Sequence, residues 1–343
     1  MSTLRLMAID AICQRGSIRE PDVLTLRRAF ALEPQLHASE IDALFRVHAL
    51  ARVQDPAWAD FFAEILTDYV VRELEPAGYV TSAHAAWLVA RVSSAGRVRT
   101  KAEHDLLLNV IDKARWVPAS LMAFALAQIR DAVRTGDGPL RAGAETGPGT
   151  ITLLEVEQVR SLLFAYGNEG PKAITEIEAE LLLDIDGALR RVEAARVAHE
   201  AILRSDSWPV EPWRLDGWPQ QAWSDLLDKA IANAVLSASG YACPTREEAL
   251  NEARPLTSPQ AALQGYRPMT PEARALLRLE LQRIEIITGE PVRPADPVRL
   301  AEILDAEQHE GIRARVLRAL LAADCVLSPA FAPGRTCSDV AAA

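Results

Sequence analysis

One amphipathic segment occurs twice in this chain, and the repetition limits the possible folds more than any other feature does. Residues 57–62 read AWADFF and residues 222–227 read AWSDLL, and a Gly-Tyr pair follows each of them, at Gly78 and at Gly240. Further upstream, residues 39–45 correspond to 178–183, and residues 16–18 correspond to 149–151. Because these landmarks agree in order, we predict a duplicated structural unit.

Both copies of the segment have helical spacing. The apolar and aromatic residues are Trp58, Phe61, Phe62, Ile65, Leu66 and Tyr69 in the first copy, and Trp223, Leu226, Leu227 and Ile231 in the second. Side chains at i, i+3, i+4 and i+7 lie on one face of an α-helix. A single helix hairpin cannot bury such a stripe, so we expect the copies to stack on one another.

Turn chemistry predicts where several helices start. A third, shorter copy of the pattern runs from Gly96 into the apolar stretch 105–110. The predicted N-caps are Ser39, Thr100 and Thr175, with Asp42, Glu103 and Glu178 as their capping-box partners. In such a box the two side chains satisfy each other's backbone N–H groups.

The chain is therefore predicted to be all-α, with duplicated helix-hairpin repeats and a C-terminal helical extension. The predicted units are a first repeat domain at 1–134, a linker at 135–150, a second repeat domain at 151–252 with a Trp/Pro-rich insertion at 187–222, a linker at 253–269, C-terminal helices at 270–327 and a flexible tail at 328–343. The linker boundaries follow Gly, Pro and Thr enrichment.

Composition excludes several classes of function. The chain has 343 residues and a net charge of −10, so it repels phosphate backbones and we expect no nucleic-acid partner. No apolar run approaches the ~18 residues of a membrane span, and no signal peptide is recognisable, so we expect a cytoplasmic protein. The four cysteines lack metal-ligand spacing, and no nucleophile elbow or phosphate loop occurs, so we expect no enzyme.

The order of short helices, Gly-[Ser/Arg/Lys]-[Ile/Val] turns and acidic helix starts resembles tellurite-resistance TerB-like modules. The resemblance covers residues 4–134 and 151–252 and implies EF-hand-like hairpins, metal association and a place in larger stress-response assemblies. Calcium binding in the loops is not expected. With Gly16 at the sixth loop position, the ligand positions fall on Ala11, Cys13, Arg15 and Asp22, of which only the last is a carboxylate.

Three carboxylates are the candidate metal ligands. Glu176, Glu180 and Asp184 follow i, i+4 spacing on one predicted helix and so share one of its faces. Like charges this close repel one another unless a cation or an arginine lies among them. The alternative, which the sequence favours, is a solvated acidic face balanced by Arg190 and Arg191.

Residues 181–187, LLLDIDG, are similar to the nucleophile motif of haloacid-dehalogenase-type phosphatases, in which the first Asp attacks phosphate. Here that residue is Asp184, and Asp186 is the second Asp. The preceding residues open a helix rather than a strand, Ala188 replaces the required Thr, and no alternating β/α pattern follows. A phosphatase-like enzyme is therefore the least favoured alternative.

Tryptophans are concentrated in the insertion. Trp208, Trp213 and Trp218 recur at a spacing that fits neither a helix stripe nor a strand face. A long ordered loop is often functional, so these indoles are the candidate interaction surface, although packing as a cap onto the neighbouring helix is the favoured alternative.

The leading hypothesis is a non-catalytic protein-interaction or regulatory adaptor module that binds another protein and uses no cofactor. The apolar faces of the C-terminal helices are wide enough to dock either on the repeats or on another subunit, so a homo-oligomer is a further expectation. The second hypothesis is a metal-associating stress-response protein with a divalent ion at Glu176, Glu180 and Asp184.

Overall fold

The structure, a computed structural model, describes residues 2–32, 35–141, 146–163, 174–204, 217–238, 240–242, 256–263, 266–306 and 311–327. The predicted all-α class is confirmed. The helices are α1 Ser2–Arg15, α2 Glu20–Ala31, α3 Ala38–Leu50, α4 Pro56–Asp68, α5 Ser82–Val92, α6 Lys101–Lys113, α7 Ala119–Thr135, α8 Leu153–Leu163, α9 Glu176–Arg204, α10 Gly217–Ala238, α11 Pro259–Ala262, α12 Pro271–Thr288, α13 Pro297–Ala306 and α14 Ile312–Leu327. A π-helical turn, Tyr69–Glu73, continues α4.

Strands of two residues each pair between loops, and they do not form a sheet layer of the fold. β1 (Ser17–Ile18) pairs in parallel with β2 (Val53–Gln54), and β3 (Tyr241–Ala242) pairs antiparallel with β4 (Arg267–Pro268). Gly16 and Gly240 precede β1 and β3 with φ of 69° and 87°, a left-handed conformation that costs glycine little. The repeated glycines thus turn the chain from a helix into an extended pair.

The predicted tryptophan stripes lie in the core. Trp58, Phe62 and Leu66 on α4 are fully buried, and Trp223 and Leu227 on α10 are buried as well. α4 packs on α6, α10 packs on α8 and α14, and α7 packs along α9. The contact between α7 and α9 joins the two predicted repeat domains. Whether these domains are copies of one unit remains a prediction.

Two arginines are buried against glutamates in the first turn of a helix. Arg5 Nη1 lies 3.3 Å from Glu40 Oε1, and Arg141 Nε lies 2.6 Å from Glu155 Oε1. Each glutamate also accepts a hydrogen bond from the backbone N–H just before its helix, of His37 at 3.0 Å and of Thr152 at 2.9 Å. These buried pairs fix the two helix starts to segments that precede them by 35 and 14 residues.

One predicted cap is wrong and two are confirmed. Thr100 with Glu103 and Thr175 with Glu178 form the expected bonds. α3 begins after His37, however. His37 therefore takes the N-cap position predicted for Ser39, and Glu40 takes the position predicted for Asp42. The buried guanidinium of Arg5 holds the Glu40 carboxylate at this position, which explains why the helix starts earlier.

The segments predicted as linkers contain ordered structure, although the domain boundaries themselves stay predictions. Segment 135–150 carries the buried Arg141, and segment 253–269 contains α11 and β4. Within 187–222, α9 runs unbroken to Arg204 and α10 starts at Gly217. The predicted tail, 328–343, lies outside the described residues. Of the helices in the described part of the chain, none is both long and apolar enough to cross a membrane.

We predict that Glu40→Gln lowers the free energy of unfolding by about 3 to 5 kcal/mol, because it removes the carboxylate that pairs with the buried Arg5 guanidinium. The double variant Arg5→Met/Glu40→Leu removes both charges and should lose clearly less. Urea denaturation measures both, with Asp60→Asn at an exposed carboxylate as a control that changes stability by less than about 0.5 kcal/mol. Equal losses in the single and double variants would show that burial of unpaired charge is not the cause.

Candidate functional site

An open groove lies between α7, α9 and α13. Its volume is about 610 Å³. The lining residues are Ser120, Ala123, Phe124, Ala127 and Arg130 of α7, Ile177, Glu180, Leu181, Leu183 and Asp184 of α9, and Ile303 of α13. Most of these side chains are apolar, and the charged ones lie on α9 and at one end of α7. The groove therefore has an apolar floor with a charged rim.

The sequence of α7 explains the floor. One face of this helix, including Leu121, Leu126 and Ile129, is buried in the core. Ala123, Phe124 and Ala127 lie on another face and are only partly buried. Because alanines one turn apart leave space beside the backbone, the surface of α7 is recessed there. Ile177 of α9 borders the groove and is 47% exposed.

The third wall, α13, is held to the other two by polar contacts. Arg299 of α13 forms ion pairs with Glu176 and Glu180 of α9. Glu290, which precedes α13, accepts a hydrogen bond from the backbone N–H of Ser120 at the start of α7 (3.1 Å). The backbone N–H of Ala295 also donates to the carbonyl of Ile174 (2.8 Å). These contacts set the width of the groove.

Of the three predicted metal ligands, Glu180 and Asp184 line this groove and Glu176 does not. Arg299 supplies the positive charge next to Glu176 and Glu180, whereas the predicted Arg190 instead pairs with Asp186 at 2.9 Å. The side chain of Asp184 is 61% exposed, and Nη1 of Arg130 lies 3.9 Å from its Oδ2. Across the described ranges, no three His, Cys, Asp or Glu side chains are grouped so that they could hold a metal ion.

The phosphatase motif lies on a helix. Residues 181–186 belong to α9, so the strand that would present Asp184 as a nucleophile is absent from this described segment. Asp186 is buried, accepts a hydrogen bond from the indole N–H of Trp223 (3.2 Å) and pairs with Arg313 (2.8 Å). Its carboxylate therefore joins α9, α10 and α14 and is not available to a substrate.

Arg313 also pairs with a second buried carboxylate. Its Nε lies 3.0 Å from Asp228 Oδ1. Burial raises the pKa of Asp228 to about 6, since the charge of Arg313 only partly offsets the loss of water and the charges of Asp225 and Asp186 add to the rise. The Arg313 guanidinium thus pairs with two carboxylates where α14 packs against α10.

His48 lies beside a threonine hydroxyl but cannot act as its base. Trp58 donates its indole N–H to Nδ1 of His48 (3.2 Å), and Nε2 lies 3.0 Å from Oγ1 of Thr100. Because an indole is only a donor, Nδ1 is unprotonated, and the neutral ring carries its proton on Nε2 and donates it to Thr100. Burial lowers the pKa of His48 although Glu103 opposes the shift, so the ring stays neutral and links α3, α4 and α6.

The side chains of the three predicted interaction residues lie outside what the structure describes. Trp208 and Trp213 lie outside the described residues, and of Trp218 the structure describes only a backbone position in α10. Sequence reasoning in turn missed Arg299, Arg313 and the floor of α7. No local spacing connects an arginine to carboxylates more than a hundred residues away, so only the wide apolar face of α7 could have indicated the groove.

Comparison of the chain with protein-family models, with curated proteins and with solved structures gives no match.

We predict that Asp228 makes stability depend on pH between about 4 and 6. Its pKa is higher in the folded chain than the ordinary 3.8, so the folded state binds more protons and stability from this group falls as pH rises through that window. The free energy of unfolding of Asp228→Asn, measured relative to that of the wild type, should rise by about 2 kcal/mol from about pH 4.5 to about pH 7.5. Urea denaturation at several pH values measures the difference, and a constant difference would contradict the raised pKa.

Proposed function

We propose that this chain is a non-catalytic protein-interaction module that binds an amphipathic helix of a partner protein in the groove between α7, α9 and α13. The observation that carries the proposal is the open apolar floor of this groove, with Ile177 exposed at its border. Exposed apolar surface with a polar rim is typical of a protein-binding site. A groove between helices is also a common receptor for the apolar face of another helix.

The rim indicates the charge of the partner. Glu180 is already paired with Arg299, but the side chain of Asp184 is 61% exposed with the Arg130 guanidinium 3.9 Å away, and the whole chain carries a net charge of −10. A helix with leucine-like side chains on one face and lysine or arginine beside them would fill the floor and pair with this rim. The partner we propose is therefore a cytoplasmic protein with a basic amphipathic helix.

The roles of the buried polar side chains support a non-catalytic reading. His48 and Asp186 each connect helices distant in sequence, and Arg141 joins the segment before α8 to the first turn of that helix. Side chains that fix helices in this way are not free to bind a substrate. The TerB-like resemblance stays a prediction, and our proposal agrees with the place in a larger assembly that it implies.

We predict that a synthetic leucine/lysine amphipathic peptide of about 14 residues binds the full chain with a Kd of about 10 to 100 μM, and that its leucine/glutamate counterpart does not. Fluorescence anisotropy of the labelled peptide measures binding. Ala127→Arg fills the floor and should weaken binding about tenfold or more. Asp184→Lys replaces a negative rim charge with a positive one and should weaken peptide binding about threefold to tenfold.

Two matched controls separate the groove from the general charge of the chain. Ala86→Arg and Asp60→Lys make the same substitutions at exposed positions of α5 and α4. They should bind the peptide nearly as well as the wild type. If all four variants bind equally, the peptide recognises net charge alone and the groove is not the binding site.

A further inference from the structure

α12 is exposed along most of its length. Leu276, Leu279 and Ile286 are 67%, 62% and 83% exposed, and they lie on one face of the helix. Only Ile284 and Thr288 of this helix are buried. Large aliphatic side chains in one exposed stripe are an uncommon surface for an isolated protein and indicate a contact with another molecule.

The stripe is presented by a helix that is capped at its start and held to the rest of the chain near its C-terminal end. Thr270 caps the start of α12 by accepting the backbone N–H of Ala273 (3.2 Å). Near the other end, Arg283 donates to the hydroxyl of Tyr79 (2.9 Å), and Ser82 Oγ donates to the carbonyl of Thr288 (2.8 Å). The outward face is therefore oriented in advance of any docking.

We propose that α12 pairs antiparallel with α12 of a second copy of this chain. Leu276 and Leu279 have the spacing of the two core positions of a heptad. A twofold axis between residues 277 and 278 brings Leu276 next to Leu279 of the second copy. The same register brings Glu272 next to Arg283 of the second copy, and the symmetry repeats both contacts. Arg283 already pairs with Glu280 of its own helix (2.5 Å) and donates to Tyr79, so Glu272 of the second copy would add a second carboxylate beside this guanidinium.

Charge selects this arrangement over a parallel one. In a parallel pair, Glu272 would face its own equivalent and Arg283 would face its own, so like charges would meet at both ends. In the antiparallel pair, both ends close with opposite charges. The flanking positions put Ala273 beside Glu280 and Ala275 beside Gln282, so no like charges oppose each other there.

The length of the helix sets the strength of the pairing. In this register residues 271–284 of the two copies overlap, about 21 Å of helix, so the contact lies at the lower limit for specific interfaces, about 1,000 Å² in total or less. We therefore expect a reversible dimer with a Kd of about 1 to 100 μM.

The test measures the mass of the full chain by sedimentation equilibrium over a concentration series. We expect dimerisation in the wild type and a Kd about tenfold weaker in each of Glu272→Lys and Arg283→Glu, because each variant opposes like charges at both ends of the pair. Mixing the two variants places opposite charges at both ends again, so a heterodimer should form with nearly the wild-type Kd. A merely structural role of either residue would not be rescued by mixing.

A second pair of variants tests the apolar centre. Leu276→Glu/Leu279→Glu should be monomeric at every concentration, whereas Leu50→Glu, at an exposed leucine of α3, should dimerise like the wild type. A wild type that is monomeric throughout, or a dimer that survives the double substitution, overturns the proposal. The two proposals fail independently, because none of these variants changes a residue that lines the groove.

Discussion

A tryptophan can be buried only if its indole N–H finds an acceptor, and this requirement organises both halves of the fold. Trp58 and Trp223 each donate to a side chain on a neighbouring helix, His48 in one case and Asp186 in the other. Both acceptors lie about three turns after the N-cap of their helix. An unpaired indole in either core would cost about 1 to 3 kcal/mol, so acceptor and donor fix the relative position of two helices. That both sites use the same position favours the predicted duplication.

Buried ion pairs also fix the positions of helices relative to other segments. Arg5, Arg141 and Arg313 are each buried or nearly so, and each pairs with a carboxylate on another segment. Because a buried charge is costly unless it is paired, each of these contacts allows few alternative arrangements of the helices. The buried contacts of these three arginines thus serve the architecture of the fold.

The sequence predicts what depends on neighbours along the chain. The stripes of α4 and α10 and the cap formed by Thr100 and Glu103 follow from spacing of a few residues, and the structure contains them. The start of α3 could not be predicted, because it depends on Arg5 in another helix. Arg299 likewise meets Glu176 and Glu180 only after the chain has folded. The groove is a product of such long-range contacts, so only its individual surfaces were foreseeable.

α7 and α9 belong to different predicted domains, yet they pack along each other, and one apolar core extends from Ile9 to Leu320. The groove therefore has its floor in one half of the chain and a wall in the other. Neither half carries it alone, and a gene fragment encoding a single half would yield a protein without this surface. The groove therefore exists only when both halves fold together, as they do on a single polypeptide.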